Sequence, residues 1–107
     1  MELIDRNLVI HVEDEIDHLA AEFIRREFEN VYTKHNIKNV IFDMSDVKFM
    51  DSSGIGMIIG RYMKVRYIGG KVAVTGVSDS IDRILKMSGV YRVVSKFDTV
   101  DDALRYN

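Results

Sequence analysis

The stretch from Lys38 to Thr75, KNVIFDMSDVKFMDSSGIGMIIGRYMKVRYIGGKVAVT, contains the unit that decides the fold. Lys38 to Met44 carries Val40, Ile41 and Phe42 in a row, a short apolar run suited to a buried strand. From about Ser53 to Ile68 the period changes. Ile55, Ile58, Ile59, Tyr62 and Val65 or Arg66 recur at helical spacing, and Gly69-Gly70 supplies the stop. Lys71 to Thr75, KVAVT, is again a strand. Two strands joined through a helix of this length form a parallel pair with a crossover connection.

Upstream of this unit, Leu3-Ile4 and Leu8 to Val12 read as short strands with Asp5-Arg6-Asn7 turning between them. The first is expected to pair antiparallel at a sheet edge. Asp17 is a natural N-cap for an amphipathic helix reaching about His35, with Leu19, Ala20, Phe23, Ile24, Phe28 and Val31 on its apolar side. Downstream, Ser78 or Ser80 caps a third helix that carries Ile81, Ile84 and Leu85 and ends at Gly89. Arg92 to Phe97 is a last strand, and Thr99 with Asp102 opens a short terminal helix. The order is ββαβαβαβα. It specifies an α/β fold with a mixed, mostly parallel sheet and about four helices, as one domain over residues 1–107.

Composition removes several function classes. Fifteen basic residues stand against 17 acidic ones, a net charge of -2 spread along the chain, so no direct nucleic-acid partner is expected. Without cysteine there is no disulfide, thiolate metal site or thiol nucleophile. His11, His18 and His35 have no ligand spacing, so no metal site is expected. The N-terminal residues do not read as a signal peptide, and no run approaches the roughly 20 apolar residues of a membrane span. A cytoplasmic protein without membrane association is the expectation.

In open α/β sheets, sites gather outside the carboxyl ends of the strands. Three segments are expected there: Glu13 to Asp17, Asp43 to Asp46, and Asp51-Ser52-Ser53-Gly54-Ile55-Gly56. The third is the most unusual, because it sets two hydroxyls at a helix start and then two glycines inside the first turns. Either serine can serve as a simple N-cap. Each glycine costs about 1 kcal/mol of helix stability against alanine, which asks for a compensating close approach by another backbone.

MDSSGIGMIIGRY (Met50 to Tyr62), IGGK (Ile68 to Lys71) and MSGVY (Met87 to Tyr91) together resemble the anti-sigma factor antagonist family, the STAS domain, and in particular its sporulation-type members from spore-forming bacteria. Glu15-Ile16-Asp17-His18 followed by Ala21-Glu22 is similar to the family's other marked stretch, and the resemblance covers nearly the whole chain. It departs at Asp14, where the family usually has glycine; aspartate tolerates left-handed turn conformations. The resemblance implies a partner switch. An unphosphorylated antagonist binds an anti-sigma factor that is also a serine kinase of the histidine-kinase-like ATPase fold, and this frees a sigma factor. The kinase phosphorylates the first serine of the motif, Ser52 here, and a PP2C-type phosphatase resets it. Glu15, Asp17, Asp51, Ser53, Gly54, Ile55 and Gly56 become the expected docking surface, with no catalytic residues and no resident cofactor. The residue types alone do not choose between Ser52 and Ser53, and Glu15 and Asp17 read equally well as a loop acid and a helix cap.

A rival of another class is a phosphoaspartate receiver, with Asp43 as acceptor, the Val9 to Glu15 acids near it, Thr75 after a strand and Lys96 on the last one. Spacing opposes it, since only one helix separates the two acid-bearing strands, and it leaves DSSGIG without a role. A serine hydrolase is weaker still, because G-x-S-x-G is absent. Met57 is expected off the apolar face of its helix, forming with Ile55 a small exposed patch. Arg61, Lys64 and Arg66 are expected on the solvated face.

Overall fold

The computed structural model describes all of residues 1–107. β1 (Glu2–Ile4) and β2 (Asn7–Ile16) form the expected hairpin, antiparallel with Leu3 opposite Leu8. There follow α1 (His18–Lys34), β3 (Asn39–Met50), α2 (Ser52–Val65), β4 (Val72–Thr75), α3 (Asp79–Ser88), β5 (Val94–Phe97) and α4 (Val100–Tyr106). The strands lie in chain order across one sheet, and every pair after the first is parallel. This is the mixed, mostly parallel α/β architecture that the alternation of periods requires.

Strand alternation divides the apolar residues between two faces. Leu8, Ile10 and Val12, Val40, Phe42 and Met44, and Val72, Val74 and Val94 join the main core with Ile24, Phe28, Ile58, Ile81 and Leu85 of α1, α2 and α3. Val9, Ile41 and Ala73 point the other way, where only α4 covers them through Ala103.

Two strands are longer than their apolar runs. β2 and β3 were expected to end at Val12 and Met44, but they run on to Ile16 and Met50. β4 ends at Thr75, opposite Asp43, so the remainder is a two-stranded ribbon carrying roughly 20 Å of chain past the sheet. The ribbon is hard to recognise for a geometric reason. Between the pairs His11–Asp43 and Glu13–Asp46 the third strand advances one residue more than the second, and again before Glu15–Phe49. These bulges put the buried residues Met44, Val47 and Met50 three apart instead of two, which hides the strand period.

The helices are placed as expected, but their buried faces are rotated. On α1 the core takes Ala21, Ile24 and Phe28, while Leu19 and Phe23 are 77% and 65% exposed. On α2 the core takes Met57, at 6% exposure, and Arg61, at 7%, and leaves Ile55 half-buried. Met57 therefore forms no exposed patch, and Arg61 is not on the solvated face. The reason is that α2 packs on both the sheet and α1, so its buried arc is wider than its run of aliphatic residues. α2 itself closes at Val65, and one 3-10 turn leads to Gly69 in the left-handed conformation, φ +74°.

Candidate functional site

The ribbon brings two helix starts together. Ile16 lies opposite Met50, and the Asp51 N–H donates to the Ile16 carbonyl at 3.2 Å. α1 and α2 therefore begin side by side at one apex. Asp17 caps α1, its Oδ1 accepting from the Ala20 N–H at 2.9 Å. α2 is capped by Asp51, whose Oδ1 accepts from the Ser53 N–H at 2.7 Å, so neither serine is the cap. Ser52 becomes the first helical residue and is exposed, whereas Ser53 is half-buried. Backbone N–H groups and the positive end of the helix dipole face the Ser52 position, an environment that accepts negative charge.

The two glycines of the motif have different roles. A Cβ on Gly54 would overlap the Met50 side chain and lie 3.2 Å from Ile16 Cγ2, so this glycine seats α2 on the strand ends. Its reason is internal to the fold. A Cβ on Gly56 would meet nothing within 4 Å, so no internal contact requires glycine there. Of the residues singled out by sequence, Glu15, Ser52 and Gly56 are exposed, Asp17, Asp51, Ser53 and Ile55 are half-buried, and Gly54 is buried. Two apolar residues at the same apex went unrecognised. Phe49, 53% exposed, lies opposite Glu15 on the ribbon, and Leu19 projects from the first turn of α1. Phe49 immediately precedes the Met50 to Gly56 motif, but only the extended strand brings it beside Glu15.

Asp14 occupies the second irregularity of the ribbon with φ +60°, a left-handed conformation that aspartate tolerates. Asp43 braces the first. Its Oδ1 accepts from the Ser45 N–H at 3.2 Å and the Ser45 hydroxyl at 2.8 Å, within the bulge itself. Its Oδ2 is 3.1 Å from His11 Nδ1, and His11 Nε2 is 3.0 Å from Asp46 Oδ2. The hydrogen bond to Asp43 raises the His11 pKa, partly opposed by desolvation. Burial pushes the Asp43 carboxyl up, but the Ser45 and His11 hydrogen bonds outweigh it and the net shift is downward. Both oxygens of the rival acceptor are thus engaged in holding the ribbon. Lys96, which that reading also needs, is 3.1 Å from Asp82 instead.

Asp82 itself is a structural tie that no pattern in the sequence announces. It accepts from the Tyr91 hydroxyl at 2.6 Å and pairs with Lys86 at 3.0 Å, joining α3 to β5 and the turn between them. The Tyr91 hydrogen bond, then Lys86, holds its carboxyl well below the usual range. Burial, then Asp82, pushes the Tyr91 hydroxyl up. No three His, Asp or Glu side chains are arranged to hold a metal ion, and no helix is long and apolar enough to cross a membrane.

Comparison with known proteins places this apex in a context. The model of the STAS domain matches residues 1–103. An anti-sigma F factor antagonist of Paenibacillus polymyxa is 30% identical over 97 residues, 91% of this chain and 83% of its own. The anti-sigma factor antagonist SpoIIAA, solved in its unphosphorylated form, superposes with a TM-score of 0.85 at 26% identity, covering 96% of this chain and 90% of its own. The Bacillus cell fate determinant SpoIIAA in the phosphorylated form gives a TM-score of 0.76 at 26% identity, covering 97% and 94%.

Proposed function

The chain belongs to the STAS domain family, and on that premise we propose that it is an anti-sigma factor antagonist working by a phosphorylation-controlled partner switch. Unphosphorylated, it binds an anti-sigma factor that is also a serine kinase, and a sigma factor is released. Phosphorylation of Ser52 ends that binding, and a PP2C-type phosphatase restores it. The chain supplies the acceptor and the docking surface, while turnover belongs to its partners. The observation that carries this reading is the exposed Ser52 at the first turn of α2, freed from capping duty by Asp51. A relative solved in both unphosphorylated and phosphorylated forms supports a switch of this kind.

The docking surface is the apex formed by Glu15, Asp17, Asp51, Ser53, Ile55 and Gly56, with Gly54 acting from beneath by seating the helix. Phe49 and Leu19 add the apolar element that an interface core requires. Phosphorylation adds about -1.5 to -2 charges beside Asp51. For a partner carboxylate on the order of 6 Å away, at an effective dielectric near 20, repulsion is about 3 kcal/mol per charge pair before screening. A thousandfold loss of affinity corresponds to about 4 kcal/mol, so one phosphate suffices to eject a partner without unfolding the chain.

The test mixes the protein with candidate anti-sigma kinases and ATP, and follows intact mass, phosphopeptides and complex formation. One acid-stable phosphate on Ser52 is expected. Ser52→Ala should bind the kinase and stay unmodified, and Ser52→Asp should bind weakly. Normal labelling of Ser52→Ala, on Ser53, Thr75 or an aspartate, would place the switch elsewhere.

A further inference from the structure

The parallel topology gathers charges that are dispersed along the sequence. Each of the four parallel strands is entered through a turn that carries a cation: Arg6 before β2, Lys38 before β3, Lys71 before β4 and Arg92 before β5. These turns are neighbours. The Lys38 and Asn39 N–H groups donate to the Arg6 carbonyl at 2.8 and 3.1 Å, and the Val40 N–H donates to the Lys71 carbonyl at 2.9 Å. Val72 lies opposite Val94, which brings the Arg92 turn next to Lys71. α1 and α2 end at the same pole and add Lys34 and Arg66. Asp5 is the one acid in the four turns. None of the six cations has a carboxylate partner; the ion pairs of the molecule use His11, Arg25, Lys64, Lys86 and Lys96 instead. Helix dipoles account for Lys34 and Arg66. The other four stand side by side on strands about 4.8 Å apart, where like charges repel and no packing requirement calls for them. Tyr67, 77% exposed, is at this pole too, with Arg66 stacked 4.9 Å from its ring centroid, and Ile68 and Val93 are also exposed there. None of the main grooves of the molecule is lined by these residues. At the opposite pole the strands are followed by Asp17, Asp51, Asp79 and Asp98.

We propose that this basic pole rests on the surface of a bilayer containing acidic phospholipids, with Arg6, Lys38, Lys71 and Arg92 over the headgroups and Tyr67 among them. Unpaired cations meet anionic headgroups without first giving up a partner, and the amphipathic tyrosine ring suits headgroup depth. A face without a groove fits a planar array of charge better than a nucleic-acid strand, which is bound along a channel. The aspartates at the other pole do not oppose the contact. Even the four-residue strands β4 and β5 hold the two poles about 13 Å apart, beyond the screening length of about 10 Å at 0.1 M salt. In this orientation Ser52 faces away from the bilayer and stays open to a kinase, and the contact does not depend on its modification. Such peripheral association is reversible and needs no apolar span.

The test sediments the protein with vesicles of phosphatidylcholine alone and of phosphatidylcholine with about one third phosphatidylglycerol. Saturable binding to the acidic vesicles is expected at about 0.1 M salt, with loss at about 1 M, where the screening length shrinks to about 3 Å. The neutral vesicles should not bind. Each neutralised cation should lower partitioning roughly fivefold, so Lys71→Gln combined with Arg92→Gln should lower it roughly 25-fold. That double variant should melt no lower than the wild type, because it removes like-charge repulsion. Arg26→Gln combined with Lys48→Gln makes the same change in net charge at exposed positions on α1 and the ribbon, and should bind as the wild type does. Tyr67→Ser should fold, since the ring is exposed, and bind more weakly. No binding to acidic vesicles, equal binding to neutral ones, equal losses in the two double variants or an unaffected Tyr67→Ser overturns the proposal. Tighter capture by polyuridylate or polyglutamate than by the acidic vesicles would overturn it as well, assigning the pole to a nucleic acid or an acidic protein.

Discussion

Asp51→Ala removes the side-chain acceptor that starts α2 at the apex. The bond it makes to the Ser53 N–H is short, 2.7 Å, and half-buried, and the carboxylate sits at the positive end of the helix dipole. Loss of such a cap costs about 1–2 kcal/mol. For a domain of this size that lowers the thermal midpoint by roughly 4–10 °C. Asp51→Asn keeps the acceptor and gives up only the charge–dipole attraction, about 0.3–1 kcal/mol. The order of stability should therefore be wild type, then Asn, then Ala, measured by circular dichroism on heating and by urea unfolding. Asp17→Ala is the internal control, because it removes the matching cap of α1 at 2.9 Å and should cost a similar amount. An Asp51→Ala protein melting within 1–2 °C of the wild type, or an Asn variant as unstable as the Ala one, would refute the assignment of a stabilising hydrogen-bonded cap.

Three other substitutions probe the rest of the fold. A Cβ at Gly70 would collide with the Lys38 carbonyl and crowd Val65, so Gly70→Ala should destabilise by about 2–4 kcal/mol in urea titrations. Leu19→Gln and Phe23→Gln remove exposed apolar groups and should each change stability by no more than about 0.5 kcal/mol; a core-sized loss would mean that α1 is rotated from the orientation described. The His11 pKa is raised above its ordinary 6.5, so this contact stabilises fully below that pH and fades as pH rises through the folded value. Asp43 is lowered from 3.8, so its share is present above that pH and lost as pH falls through the folded value. Together they strengthen the ribbon between about pH 4 and 6.5. In an NMR titration, Asp43→Asn should bring His11 back toward 6.5, and an unmoved His11 would disprove the pairing.

Much of the fold was legible because local periods are a property of the backbone. Val40-Ile41-Phe42 and KVAVT are short apolar runs between helical periods, the pattern of strands buried on both faces, and Gly69 and Gly89 end their segments because φ near +75° suits glycine. Asp17 and Thr99 were recognisable as caps for the same local reason, and of the two serines offered for α3 the structure uses Ser78. The ribbon was not, since its bulges convert a period of two into a spacing of three and remove the cue that identifies a strand. At the site, the Asp51 to Gly56 motif was visible. Its internal division of labour, with Asp51 as cap, Gly54 as seat and Ser52 as the free hydroxyl, was not.

The sequence by itself determined the element order, the caps of α1 and α4 and the position of the motif, because each depends on residues within a few positions of one another. Only the tertiary structure decided which arc of each helix is buried, and hence that Met57 and Arg61 go inside while Leu19 and Phe23 stay out. It alone also brought Glu15, Phe49 and Ser52 to one apex and Asp82 against Tyr91 and Lys96. A helix repeats every 3.6 residues whatever it packs against, but the rotation that it adopts depends on neighbours distant in the chain.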